Sequence, residues 1–247
     1  MSSNIQNTFL IIIPAFNEES CIEKVVRAWI KLVNNHRGSK ILVINDGSKD
    51  KTGPILDKLE KEFKNLNVIH KTNEGHGATI IRGYKEAAKT QHLWTFQTDS
   101  DDQLNPADFD KLWKSRHKSN FILGKRTKRD DPFHRLLITK INLLLIMILF
   151  YSYIDDANVP YRLIKTDYLR KLLRVLPMDI FAPNIMMSIL ALKDGENLLN
   201  IPISHMRRKT GRASITKWNL IIASLKTAKD LILFRLRLSN MLNNISN

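Results

Sequence analysis

Cysteine is almost absent from this sequence, since Cys21 is the only one among 247 residues. A single thiol excludes an internal disulfide framework and a metal site built from several thiolates. Cys21 belongs to a stretch with helical spacing of apolar residues, so we expect it in the core. This usage of cysteine fits a reducing compartment, and we expect a cytoplasmic protein.

Long apolar runs are also missing. The most apolar stretch, residues 141–154, is shorter than the roughly 20 residues that a membrane-spanning helix needs. The N-terminus has no basic region, and the apolar stretch at 9–16 is too short for a secretory signal. We therefore expect residues 141–154 to form a buried helix or one that lies in a membrane interface.

Acidic residues are fewer than basic ones. Lys and Arg number 39 against 24 Asp and Glu, which gives a net charge of +15. Such a chain favours polyanions, meaning nucleic acid, anionic lipid headgroups or phosphorylated ligands. Nucleic-acid binding requires aromatic residues interleaved with the basic ones, or a known module, and the sequence has neither. We expect no nucleic-acid partner, and the charge alone does not choose between the other two.

Short apolar runs alternate with helical patterns in the first half of the chain. The runs predict strands at residues 8–15, 40–46, 66–72 and 92–99, and the periodic stretches between them predict helices. This alternation is typical of an α/β fold with a mostly parallel, Rossmann-like sheet flanked by helices. The second half is less regular and ends in a basic amphipathic stretch at 218–238, so we expect one domain with a basic C-terminal helical elaboration.

A polar cluster follows each predicted strand. In chain order these clusters are PAFNEE, NDGSKD, TNEGHG and TDSDDQ. Ligands of open parallel sheets bind at the carboxyl ends of the strands. We therefore expect the four clusters to line one edge of one sheet and to form one site.

The cluster after the fourth strand is the strongest candidate for a metal site. Asp99 and Asp101 are two positions apart at a strand end and can face one point, and Gln103 adds an amide oxygen. Such a set of oxygen atoms suits Mg²⁺ or Mn²⁺. The alternative is a solvated acidic turn, in which one aspartate caps the next helix.

The other two loops are weaker candidates. Asp46, at the end of the second strand, can accept a hydrogen bond from a base N–H or a ribose hydroxyl. Gly75 and Gly77 lie at a helix start, where backbone N–H groups can receive phosphate, although turn chemistry explains the glycines equally well. The histidines lack metal-ligand spacing, and we interpret His76, His134 and His205 as structural or surface residues.

Four motifs together resemble glycosyltransferase family 2, which has the GT-A fold. They occur in the family's order and approximate spacing as IIIPAFNEE, VINDGSKDKT, NEGHGATIIRG and FQTDSDDQLNP. The later stretches DANVPYRLIKTDYL and HMRRKTGRASI are similar, more loosely, to elements of the dolichol-phosphate mannose synthase and polyprenyl-phosphate glycosyltransferase branch.

The resemblance implies a role for each matching residue. The residues that it implies as binding the nucleotide-sugar donor are Pro14, Phe16, Glu18, Asp46, Gly77 and Asp99. Those that it implies as ligands of a divalent metal, Mg²⁺ or Mn²⁺, are Asp99, Asp101 and Gln103. Those that it implies as binding the acceptor phosphate are Arg126, Arg162, Arg208 and Ser214. Asp99, Asp101 and Arg126 would then form the catalytic set.

The sequence departs from the family in one place that bears on mechanism. The stretch FAPNIMMS lacks the acidic residue that many relatives use to activate a hydroxyl acceptor. A phosphate monoester has a second pKa of about 6 and is an anionic nucleophile at neutral pH without a base. The departure therefore favours a phosphate acceptor, unless Asp155, Asp156 or Asp179 supplies the base.

We therefore expect a metal-dependent, inverting glycosyltransferase that moves a sugar from a nucleotide-diphosphate sugar to a polyprenyl- or dolichyl-phosphate-type acceptor. Residues 1–125 would bind the donor, and residues 126–247 would bind the acceptor and rest helices on the cytoplasmic face of an anionic membrane. Two alternatives stay open. One is a relative that acts on a saccharide hydroxyl in surface-polysaccharide assembly, and the other is a non-catalytic protein that binds a nucleotide sugar or a polyanion.

Overall fold

The computed structural model describes residues 7–127, 133–206 and 217–246. Its strands, in chain order, are β1 Phe9–Ala15, β2 Lys40–Asp46, β3 Leu66–Lys71, β4 Trp94–Thr98, β5 Phe121–Arg126, β6 Tyr161–Lys165 and β7 Leu199–Ile203. Its α-helices are α1 Ile22–Asn34, α2 Thr52–Glu62, α3 His76–Ala88, α4 Phe109–Lys114, α5 Phe133–Phe150, α6 Thr166–Leu173, α7 Pro183–Lys193 and α8 Lys217–Ser246.

The strands form one seven-stranded sheet in the order β3-β2-β1-β4-β6-β5-β7. The first four strands are parallel to one another, and β5 is parallel to β7. β6 lies between the two groups and is antiparallel to both of its neighbours, β4 and β5. The carboxyl ends of β1, β2, β4 and β5 and the start of β6 therefore lie at the same edge.

The predicted α/β architecture is confirmed in the first half of the chain. All four predicted strands form there, with a helix between each strand and the next. β1 is buried along its whole length because helices cover both faces of the sheet, as expected of a continuous apolar run. α1 buries an apolar face that includes Trp29 and Ile30, and Cys21, just before it, is buried as predicted.

The second half contains strands that the sequence pattern did not reveal. β5, β6 and β7 are short, and each lies in a region that we predicted only as irregular and basic. Their positions are fixed by pairing, with Thr98 of β4 opposite Tyr161 of β6 and Arg126 of β5 opposite Ile203 of β7. The strands add further loops to the edge at which β1 to β4 end.

Two long helices, α5 and α8, pack against each other beside the sheet. Phe150 of α5 and Phe234 of α8 are buried, and their ring centroids are 6.1 Å apart. Both helices also expose large apolar side chains, such as Ile148 at 58% and Leu236 at 75%. Across the described ranges, every helix is too short or too polar to span a membrane.

Candidate active site

The loops that follow β1, β3 and β4 meet the end of β5 at one edge of the sheet, which we call the active edge. The charges that act on Asp99, after β4, come from Asp101 in its own loop, from Glu18 after β1, from His76 after β3 and from Arg126 at the end of β5. This convergence follows from the parallel arrangement, because the carboxyl ends of parallel strands meet at one edge. Three of the four clusters that the sequence pattern predicts at one edge, those after β1, β3 and β4, therefore lie close together there.

Asp99 is the central carboxylate of this site. Its side chain is only 23% exposed, and within the described chain its Oδ1 atom is buried without a hydrogen-bond partner. The pKa of Asp99 is raised to about 6, mainly by burial. His76 and Arg126 act to lower this pKa, and the carboxylates of Asp101 and Glu18 act to raise it. A buried carboxylate oxygen without a partner is costly, so this atom has the surroundings of a ligand-binding group.

The other two aspartates of the cluster after β4 differ in position, since Asp101 lies in the site and Asp102 in a turn. Asp101 accepts a hydrogen bond on Oδ1 from the backbone N–H of Gln103 at 3.2 Å, which closes a tight turn. Asp102 has a positive φ of 59° and pairs with Lys24 at the surface. Asp102 is therefore a turn residue, while Asp99 and Asp101 face the site.

Gln103 is held by the segment that follows β7. Its side-chain N–H group donates to the carbonyl of Met206 at 3.0 Å, and its backbone carbonyl accepts from Met206 at 2.9 Å. His205 forms a β-bridge with Leu104 beside it. Because the amide nitrogen is committed to Met206, the oxygen of the Gln103 side chain is the atom available to a cation.

The surroundings of Asp99 fit a divalent cation bound through oxygen. Glu18, Asp99 and Asp101 place three carboxylates close to Arg126, which is itself paired with Asp156. Among the residues whose structure is described, no group of three or more His, Cys, Asp or Glu side chains forms a complete metal cage. A cation here would depend on the aspartate pair, the Gln103 amide and oxygen atoms of a bound ligand, which is the usual condition of Mg²⁺ and Mn²⁺ at phosphate sites.

Asp46 organises the loop between β3 and α3. It is buried at the end of β2, and its carboxylate accepts hydrogen bonds from the N–H groups of Glu74 and Gly75, both at 3.0 Å. Lys71 forms an ion pair with the same carboxylate. The expected contact with a nucleotide base would therefore share this carboxylate with the loop that it already holds.

The other residues predicted for the donor lie at the active edge with differing exposure. Pro14 is buried in β1, and Phe16 is half-buried just after it. Glu18 is 5% exposed, and its carbonyl accepts from the N–H groups of Cys21 and Ile22, which caps α1. Gly77 lies in the first turn of α3, directly against the backbone of residues 180–181.

Arg126 forms a buried ion pair with Asp156. Its Nε and one terminal nitrogen donate to the two carboxylate oxygens, each at 2.7 Å, and the side chains are 12% and 7% exposed. Asp155 pairs with Lys125 at 3.0 Å and accepts from the hydroxyl of Tyr153 at the same distance. Two of the three carboxylates that could have served as a base are thus engaged in ion pairs.

The structure does not agree with the expectation that Arg162 holds the acceptor phosphate. Its side chain is fully buried, and its guanidinium donates to the carbonyls of Ala157, Val159 and Asn184 at 2.9 to 3.1 Å. Burial lowers the pKa of Arg162, which is the direction expected of a cation far from water. Arg162 therefore joins the loop before β6 to the first turn of α7, and it does not reach a surface. Arg208 and Ser214 lie outside the described residues.

Two residues of the site were missed by sequence reasoning. His76 was interpreted as a structural or surface residue, yet its Nε2 lies 3.9 Å from Oδ1 of Asp99. Asp156 was considered only as a possible base, and it is the partner of Arg126. A signal for His76 existed, because it lies in one of the four loops that the topology brings to the active edge. That His76 lies next to Asp99 could not have been predicted from spacing alone.

The sequence matches the model of a family described as "Glycosyl transferase family 2" over residues 10–180. A UDP-N-acetylglucosamine–dolichyl-phosphate N-acetylglucosaminyltransferase from Methanococcus voltae is 29% identical over 213 residues, which cover 78% of this chain and 83% of the relative. A polyprenol monophosphomannose synthase from Mycolicibacterium smegmatis is 25% identical over 230 residues, which cover 89% of this chain and 85% of the relative.

A solved structure shares the fold. Glucosyl-3-phosphoglycerate synthase from Mycobacterium tuberculosis, in complex with Mn²⁺, uridine diphosphate and glucosyl-3-phosphoglycerate, aligns with a TM-score of 0.69 at 16% identity. The alignment covers 93% of this chain and 80% of that one. At this level of identity the agreement concerns the fold alone.

Proposed function

Because this chain belongs to glycosyltransferase family 2, we propose that it moves a sugar from a nucleotide-diphosphate sugar to a polyprenyl- or dolichyl-phosphate-type acceptor, with inversion at the transferred carbon. The chain has the GT-A fold and is a glycosyltransferase, like the relatives named above. The acceptor class is supported by the names of those relatives, which contain dolichyl phosphate and polyprenol.

The observation that carries this proposal is the burial of the Asp99 carboxylate. A buried carboxylate whose Oδ1 has no protein partner among the described residues, beside a second carboxylate at the active edge, is suited to a cation on a diphosphate. Asp99 and Asp101, with the Gln103 oxygen, would hold that cation. When bound, it supplies Lewis-acid stabilisation of the charge that grows on the departing diphosphate.

The protein's own groups would position the two substrates. Asp46 and the half-buried Phe16 lie where the nucleoside is expected, and Glu18 fixes the start of α1 beside them. Asp156 orients the guanidinium of Arg126, whose positive charge acts on Asp99. Residues 1–125 would thus serve the donor and residues 126–247 the acceptor.

A phosphate acceptor is consistent with the engagement of nearby carboxylates. Attack by a sugar hydroxyl needs a general base within reach, whereas a phosphate monoester with a second pKa of about 6 is already anionic. Asp155 and Asp156 are both held in ion pairs and are poorly placed to accept a proton from a hydroxyl. The acceptor would therefore need positioning rather than activation.

Donor and metal binding can be tested by thermal shift. We expect one class of nucleotide-diphosphate sugar to raise the melting temperature, and Mn²⁺ or Mg²⁺ to enlarge that rise. The variants Asp99→Asn and Asp101→Asn should lose the metal-dependent part. The control Asp102→Asn should keep it, because Asp102 pairs with Lys24 in the turn. A metal-dependent shift that survives in both site variants would contradict the assignment.

The acceptor can be tested by the stability of the product. A sugar joined to a lipid phosphate is a glycosyl phosphate and is released in mild acid, whereas a sugar joined to a saccharide hydroxyl survives that treatment. Radiolabelled product from membranes and donor should therefore be acid-labile. An acid-stable product would favour the alternative acceptor, a saccharide.

A membrane-facing surface is a further part of the proposal. The exposed large apolar residues of α5 and α8 are Ile141, Leu144, Met147, Ile148, Ile222, Leu225, Ile232, Leu233 and Leu236. On α8 they alternate with exposed basic residues, among them Lys226, Lys229 and Arg235. An amphipathic surface of this kind binds a lipid interface, and each basic residue near an anionic leaflet contributes about 1 kcal/mol. We propose peripheral attachment through this surface; the cytoplasmic side stays a prediction.

Vesicle flotation tests the attachment. We expect the wild-type protein to float with vesicles that contain anionic lipid and much less with neutral ones. The variant Leu236→Asp should lose flotation, because it places a charge on a side chain that is 75% exposed. Gln91→Glu adds the same charge to an exposed loop before β4, away from the active edge, and should float like the wild type. Equal flotation with neutral vesicles would contradict the role of charge.

A further inference from the structure

His76 is an imidazole at the active edge, and the mechanism above does not use it. It is the first residue of α3, its side chain is 61% exposed, and its Nε2 lies 3.9 Å from Oδ1 of Asp99. That distance is too long for a hydrogen bond. The two groups therefore face the same space without consuming each other's hydrogen-bonding capacity.

The backbone fixes the position of His76. Gly75 precedes it with a φ of 93°, a conformation that the absence of a Cβ permits, and its N–H donates to Asp46. Gly77 follows it, packed so tightly against residues 180–181 that an added Cβ would lie 2.5 Å from the carbonyl oxygen of Phe181. The first turn of α3 is thus held from two sides, and the imidazole is presented at a defined place.

The electrostatics at this position favour an anion next to a cation. The start of α3 carries the partial positive charge of a helix N-terminus, to which His76 adds an N–H donor. Asp99 and Asp101 supply the negative groups for the cation on the other side. An oxygen atom of a diphosphate bound to that cation can lie beside Asp99 and within hydrogen-bonding reach of Nε2.

We propose that His76 donates a hydrogen bond from Nε2 to the diphosphate of the nucleotide sugar, an inference that rests on the proposed function. In the transfer, the bond between the anomeric carbon and the β-phosphate oxygen breaks while the acceptor phosphate oxygen forms the new bond. The electron pair of the broken bond stays on the departing diphosphate. His76 would stabilise that added charge, and it would also contribute to the affinity for nucleoside diphosphates.

The experiment compares the binding of nucleoside diphosphates and monophosphates in the presence of Mn²⁺ by calorimetry. The probes are UDP, GDP, UMP and GMP, and the base that binds the wild type is used throughout. His76→Ala should weaken diphosphate binding about ten-fold, the usual effect of losing a hydrogen bond to a charged group, and should change monophosphate binding much less. His76→Gln keeps an N–H donor and should recover part of the affinity.

The matched control is His117→Ala, since His117 is exposed and lies before β5, at the opposite edge of the sheet. It should bind both nucleotides like the wild type. Three results would overturn the inference: unchanged diphosphate affinity in His76→Ala, an equal loss for monophosphate and diphosphate, or weakened binding of Mn²⁺ alone, which would make His76 a metal ligand. A wild type that binds neither diphosphate would instead overturn the proposed function, on which the inference rests.

Discussion

Replacing Gly77 with alanine should destabilise the protein, although alanine is the better helix former. A Cβ at this position would lie 2.5 Å from the carbonyl oxygen of Phe181 and 2.9 Å from that of Ile180, well inside the 3.4 Å at which ordinary contact begins. Both obstacles are backbone atoms, so neither can rotate away as a side chain could. The helix start and the loop before α7 would have to separate.

The size of the effect follows from two opposing contributions. Overpacking of this kind costs about 1–3 kcal/mol of unfolding free energy. The greater helix propensity of alanine returns up to about 1 kcal/mol. We therefore expect a net loss of roughly 1–2 kcal/mol, which for a chain of this size lowers the melting temperature by roughly 2–8 °C.

Gly83→Ala is the control on the same helix. Its Cβ would meet the Cδ1 atoms of Ile44 and Ile12 at 3.1 and 3.2 Å and the Cβ of Ile12 at 3.4 Å. All three are side-chain atoms, and none is as close as the backbone oxygens at Gly77. The same gain in helix propensity should then leave this variant close to the wild type. Urea unfolding gives the free energies of all three proteins. A Gly77→Ala protein as stable as Gly83→Ala would refute the close packing of α3 against residues 180–181.

Two further substitutions, one of them with a control variant, test ionisable side chains that are shielded from water. Asp156→Asn should lower the unfolding free energy by about 3 kcal/mol, because it removes the carboxylate that pairs with the mostly buried guanidinium of Arg126. Asp167→Asn, in an exposed pair, should change the unfolding free energy by less than about 1 kcal/mol in the same urea titration. His36 packs among aromatic rings, and burial lowers its pKa. The unfolded state therefore binds the proton more readily than the folded state. As a result, the unfolding free energy falls as pH drops below about 6.5, the pKa of an ordinary histidine. His36→Phe should make the dependence of melting temperature on pH shallower between pH 8 and 5, and an unchanged slope would argue against a buried neutral imidazole.

The first half of the fold could be predicted because its signals are local. β1 and β2 are continuous apolar runs that are buried on both faces, and a helix with a clear apolar face follows each of them. β6 carried no such signal. Its direction and its place between β4 and β5 depend on pairing with strands that are distant in sequence, and no short pattern records that pairing.

The site shows the same division between local and distant information. Asp99 and Asp101 could be proposed as a cation site because their residue types and spacing already suggest one. The role of Arg162 was implied only by the family resemblance, whereas the structure buries its guanidinium against the carbonyl of Asn184 in α7. Sequence spacing reveals which groups a loop carries, but a side chain's direction is decided by what packs over it.

The reversed strand β6 has a consequence for the order in which the sheet can be assembled. β4 and β5 both pair with β6 and not with each other, so one edge of β4 stays without a partner until Tyr161–Lys165 has been synthesised. An open strand edge invites pairing with another chain. Fragments that end before residue 161 should therefore aggregate during expression, and the last steps of folding should close the sheet around β6.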